Sequence, residues 1–95
     1  MTLQRPRQSR GPSTKQGGRV IAVNPGRATF IVEIDGGDFA VFELIDSVSI
    51  SIGDEVQGNL EALGSEQLVH LTTRKAFSAF GQSGPSSRAA CDRLL

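Results

Sequence analysis

The chain has 95 residues, enough for one domain. Its single Cys excludes an internal disulfide and a four-cysteine zinc site, and its single His leaves no set from which hydrolytic or metal machinery is built, so no enzyme, cofactor or metal is expected. A net charge of zero hides an asymmetry: residues 1–19 hold Arg5, Arg7, Arg10, Lys15 and Arg19 and no acid, residues 20–73 hold nine carboxylates against Arg27 alone, and residues 74–95 hold Arg74, Lys75, Arg88 and Arg93 against Asp92.

Residues 1–16 read as a disordered basic tail. They are Gln, Arg, Ser, Gly, Pro and Thr with little else, and cannot bury enough surface to offset an ordering cost of ~1–2 kcal/mol per residue. A passive extension and a phosphate-gripping arm are the two readings. No apolar run approaches the ~20 residues of a membrane helix, and no signal-peptide core follows Met1. A reducing cytoplasm and no membrane partner are therefore expected.

Residues 17–80 read as one small β-domain. Gly18–Val23 forms a strand that stops at Asn24-Pro25-Gly26-Arg27, where Pro then Gly predicts a type II turn. Residues 28–34 form the second strand, and Asp35-Gly36-Gly37-Asp38 a tight hairpin into the third, 39–45. Val48, Ile50 and Ile52 alternate with serines before a turn at Gly53-Asp54. Alternation over 55–62 predicts a half-buried fourth strand. A turn at Gly64-Ser65-Glu66 leads into a fifth strand, 67–73, and Phe77–Phe80 adds a short sixth. Five to six short strands with tight turns predict an all-β fold, a small closed antiparallel barrel, since closure removes the edges that sixty residues cannot otherwise cover. The predicted core is Ala28, Phe30, Val32, Ile34, Ala40, Phe42, Leu44, Val56 and Leu60. Residues 81–95 read as a flexible C-terminal segment, with a short helix over 88–95 capped by Ser86 or Ser87.

Several of these strands are apolar on both faces. Ile31, Phe39 and Val41 lie opposite the predicted core, and Ile21 and Val23 opposite Val20 and Ala22. Either the barrel curls enough to bury both faces in places, or a second protomer covers one sheet.

Gly18-Arg19-Val20, Phe30 on strand two, Phe42 on strand three and Gly53-Asp54-Glu55-Val56 resemble OB-fold RNA-binding domains of the cold-shock and ribosomal-protein kinds over about residues 17–75. Sm-like barrels fit the strand count as well. The resemblance implies an OB-like or Sm-like barrel with RNA or single-stranded DNA as partner. There are departures. Gly26-Arg27-Ala28-Thr29-Phe30-Ile31 keeps one aromatic where cold-shock domains carry two, and Val41-Phe42-Glu43-Leu44 has no stacking His. Base stacking contributes roughly 1–3 kcal/mol per base, so these departures remove much of the platform.

The candidate nucleic-acid contacts are Arg19 in the basic arm, Arg27 in the first turn, Phe39 opposite Phe42, and Arg74 with Lys75 at the end of strand five. Each has a plainer reading: a solvated turn or strand-end base, or, for Phe39, packing under a partner or tail. His70 reads as a half-buried strand histidine. Cys91 reads as a free thiol able to crosslink two chains. Two functions are weighed. The first is a non-catalytic barrel that binds RNA or single-stranded nucleic acid. The second is a homodimeric protein-interaction module, which accounts for the acidic middle and the two-sided strands.

Overall fold

The computed structural model describes residues 15–95; residues 1–14, most of the predicted basic tail, lie outside the described part. Six strands, β1 (Gln16–Asn24), β2 (Thr29–Ile34), β3 (Phe39–Leu44), β4 (Glu55–Gly58), β5 (Gly64–His70) and β6 (Lys75–Gly81), precede one helix, α1 (Arg88–Leu94). They form two antiparallel meanders, β1-β2-β3 and β4-β5-β6, joined edge to edge by β3 with β6 and β1 with β4. The result is a closed barrel in the order β1-β2-β3-β6-β5-β4. The predicted small antiparallel closed barrel is the fold, at the six-stranded end of the expectation. No described helix is long and apolar enough to cross a membrane.

Alternation along the strands fills the barrel. Phe30, Val32 and Ile34 of β2, Ala40 and Phe42 of β3, Val56 of β4, Leu68 of β5, and Phe77 and Ala79 of β6 point inward with Val20 and Leu60. The rings of Phe30 and Phe42 stack with centroids 5.9 Å apart, and Phe77 tilts against Phe30 at 6.4 Å. Each such buried side chain contributes about 1.5–3 kcal/mol relative to exposure. Seven of the nine predicted core residues are buried, and Leu44 is half-buried against them.

Ala28 is the exception. It is exposed, with φ at +56°. The first turn is not type II: Gly26 does not take positive φ, and two successive turns, closed by Arg27 N–H to the Asn24 carbonyl and Ala28 N–H to the Pro25 carbonyl, pass the left-handed conformation to Ala28. The Gly36-Gly37 hairpin is as predicted, both glycines at positive φ and Gly37 N–H donating to the Ile34 carbonyl at 2.9 Å.

The second half departs further from the sequence expectation. β4 ends at Gly58, because the chain bends there at φ +156°, so close to β5 that a Cβ would lie 2.7 Å from Leu68 Cδ2. Leu60 enters the core through the turns that follow, not along a strand. Gly64-Ser65-Glu66 is strand, not turn, and Leu71–Arg74 is turn, not strand. That turn carries no glycine; Arg74 N–H donates to the His70 carbonyl at 2.8 Å and Arg74 itself takes φ +60°. β6 is seven residues long and pairs with β5 along its whole length.

The apolar outer face of the first meander is covered within the chain. A bulge in β1 between Val20 and Ala22 turns Ile21 and Ala22 outward together. They pack with Ile31, Val41 and Phe39 against Cys91 and Leu95 of the C-terminal segment. Residues 82–87 lead there along β3: Gln82 N–H donates to the Val41 carbonyl at 2.8 Å, and Ser86 and Phe39 exchange main-chain bonds at 2.8 and 3.0 Å. Ser87 caps α1, its Oγ accepting from Ala90 N–H at 3.2 Å. The two-sided pattern of β2 and β3 thus has an intramolecular cause. Cys91 is fully buried, and burial raises its thiol pKa; it is not an exposed crosslinking thiol.

Candidate docking face

The residues expected to contact nucleic acid ride on different elements. Arg19 on β1 points to Glu55 at 3.7 Å and lines a cleft of about 470 Å³ that also holds the carboxylates of Glu33 and Asp35. Arg27, in the first turn, donates to the Leu95 main-chain oxygen at 3.4 Å, beside Asn24, whose Nδ2 donates to the same oxygen at 2.9 Å. Phe39 is half-buried against the outer cluster of α1. Arg74 and Lys75 are neighbours at the β5–β6 turn, both exposed. Of the five, only these last two are brought together by adjacency in the chain.

His70 is 8% exposed. Its Nδ1 accepts from Thr73 N–H at 3.4 Å, so Nε2 carries the proton and donates to Asp54 Oδ2 at 2.9 Å. The same Asp54 oxygen accepts from Ser51 N–H at 2.9 Å. Burial pushes the Asp54 carboxyl up, but the Ser51 N–H and the His70 ring outweigh it and hold the group below its ordinary value. Both imidazole nitrogens are engaged, which makes His70 a clamp between the β3–β4 loop and β5. Among the described residues, no three His, Cys, Asp or Glu side chains gather as metal ligands.

One outer face carries large apolar groups that nothing in the described chain covers. It follows from the β5–β6 register, in which Gln67 pairs with Ser78 and Ser65 with Phe80. Because Phe77, Ala79 and Leu68 point inward, Ser65, Gln67, Ser78 and Phe80 point outward. Phe80 is 42% exposed. Its cross-strand neighbour on β3 is Glu43, and the chain beyond β3 brings Ile45 alongside, its N–H donating to the Ser78 carbonyl at 3.0 Å. Ile45 is 55% exposed, and Leu63, two residues before the Ser65 partner of Phe80, is 71% exposed.

On the same face a groove of about 470 Å³ is lined by Ile45, Ser65, Glu66, Gln67 and Ser78. Its floor is fixed: Gln67 Nε2 donates to Ser78 Oγ at 2.8 Å, and Asp46 Oδ2 accepts from Ser78 N–H at 2.7 Å. Glu43, across from Phe80, and Asp46, bonded to Ser78, are the charged groups beside it, and no base lines the groove among the described residues; Glu66 borders it but pairs with the inward Ala79 and turns its side chain to that side. No protein-family model, curated protein or solved structure matches the chain.

Sequence reasoning did not single out Phe80, Ile45 or Leu63. One signal was available. Phe77 and Phe80 are three apart, an odd spacing, so in one strand they must face opposite sides of the sheet. With Phe77 in the core, Phe80 has to be outside.

Proposed function

We propose that this chain is a non-catalytic protein-docking module whose barrel presents the outer face of β5–β6 to a partner segment bearing both basic and apolar side chains. The observation that carries this reading is the exposure of Phe80 and Ile45 beside one groove with an acidic rim. Exposed aromatic and aliphatic groups clustered around uncharged residues have the composition of an interface core. The apolar face of the first meander is sealed by α1, whereas Phe80, Ile45 and Leu63 stay exposed. Charge selects the partner's sign. Two copies of the face would bring Glu43 and Asp46 against their own kind, which favours a basic partner over a second copy.

The nucleic-acid reading retains the cationic residues 1–19 as its support. It gains little from the barrel, where Arg19 points to a carboxylate, Arg27 holds Leu95 and Phe39 packs beside α1.

The test is fluorescence anisotropy with three labelled probes: a peptide alternating Lys and Leu, one alternating Glu and Leu, and a single-stranded RNA. The expected result is binding of the Lys–Leu peptide alone at moderate salt, weakened at least about tenfold in Phe80→Ser. RNA binding that survives moderate salt and is indifferent to Phe80→Ser would instead establish the nucleic-acid reading.

A further inference from the structure

The chain contains a segment with the chemistry that the β5–β6 face selects. β1 begins at Gln16, whose Nε2 donates to Glu61 Oε2 at 2.9 Å. Glu61 is two residues before Leu63, so the chain joins the barrel from its N-terminal side next to the head of β5. Residues 1–14 carry Arg5, Arg7 and Arg10 with no acid, and an apolar Leu3. Fourteen residues reach about 45–50 Å when extended. The seven residues of β6 span about 23 Å. The reach covers the whole face, from Leu63 to Ile45.

We propose that residues 1–14 occupy the β5–β6 face of their own chain, their arginines set against Glu43 and Asp46, and so compete with an external partner. This rests on the docking reading above and adds its regulation. Tethering supplies an effective concentration in the millimolar range for a short linker, so an arm whose intrinsic affinity is only millimolar still fills the face for about half the time. Apparent partner affinity falls by the fraction of time the face is free. The contact is electrostatic at its rim and weakens with salt.

The experiment uses the full chain with Ser9→Cys carrying a nitroxide spin label; Cys91, fully buried, stays unlabelled. The readout is paramagnetic broadening of backbone amide signals. The expected result at low salt is broadening concentrated on Ser65, Gln67, Ser78 and Phe80, independent of protein concentration. It should be lost at high salt and in the triple variant Arg5→Glu, Arg7→Glu, Arg10→Glu. That triple variant should also bind the Lys–Leu peptide roughly two- to tenfold more tightly. Even broadening over the whole barrel, none at all, or broadening that appears only on mixing labelled with unlabelled copies overturns the proposal. If the label leaves the face untouched while the Lys–Leu peptide still shifts its signals, the arm is not the occupant and the docking reading stands. If the peptide shifts nothing there either, both fall.

Discussion

At the scale of single residues, the two phenylalanines of β6 make the sharpest contrast. Phe77 is 1% exposed against Phe30, and Phe80 is 42% exposed. Phe77→Ala should cost about 3–5 kcal/mol, the usual price of an aromatic cavity, a large share of the ~5–15 kcal/mol that holds a domain together. Phe80→Ala should stay within about 1 kcal/mol. Urea denaturation of the two variants checks this; equal losses would mean that Phe80 is packed and not available to a partner. The Asp54–His70 clamp makes a pH prediction. Asp54 titrates below its unfolded value near 3.8, so its contribution is complete above that value and is lost as pH falls through the folded pKa. Melting curves taken downward from neutral pH should show a fall below about pH 4 that is smaller in Asp54→Asn. The variant itself, having lost a charge-assisted bond, should be roughly 1–3 kcal/mol less stable near neutrality. An identical acid profile in both proteins would remove Asp54 from the account. Gly81 is a third point of constraint. A Cβ there would run into the Ala62 carbonyl, so Gly81→Ala should destabilise by roughly 1–3 kcal/mol, read by the same denaturation.

At the scale of elements, legibility in the sequence divides at β4. The first meander was readable because its turns carry their own markers: Pro25 with Gly26, then Gly36-Gly37. The second was not, for two physical reasons. Gly58 continues an alternating pattern but bends the backbone against Leu68, and the β5–β6 turn uses Arg74 in a conformation that sequence rules reserve for glycine. Each shifted a boundary and hid the full length of β6, and with it the outward position of Phe80. The seven-residue α1 was readable from its Ser87 cap, but its role was not. Nothing local says that Cys91 and Leu95 will seal Ile31 and Val41. A helix this short is unstable alone, so its order depends on that packing. Ser87→Ala should weaken it by about 1 kcal/mol and speed the reaction of Cys91 with a soluble disulfide reagent, because opening of α1 exposes the thiol. A rate unchanged by the substitution would mean that Cys91 is reached without α1 moving.

At the scale of the whole molecule, charge and apolar surface are arranged together. Residues 20–73 carry a strong excess of acid, and residues 1–19 five bases and no acid. An acidic body repels a phosphate backbone over about 10 Å at 0.1 M salt, and the proposed basic protein partner has the opposite, complementary sign. The sheet closes on itself through β1–β4 and β3–β6, so the docking reading relies on side chains of its outer faces. One such face is closed by α1; the other holds Phe80, Ile45 and the groove beside them. The most direct measurement is therefore a two-dimensional NMR map of the full chain titrated with the Lys–Leu peptide and, separately, with single-stranded RNA. Peptide-induced shifts should be confined to Ile45, Leu63, Ser65, Gln67, Ser78 and Phe80, with RNA leaving these signals in place. Shifts that cluster instead at Arg19, Arg74 and Lys75 with RNA, while the β5–β6 face stays silent to the peptide, would contradict the docking reading.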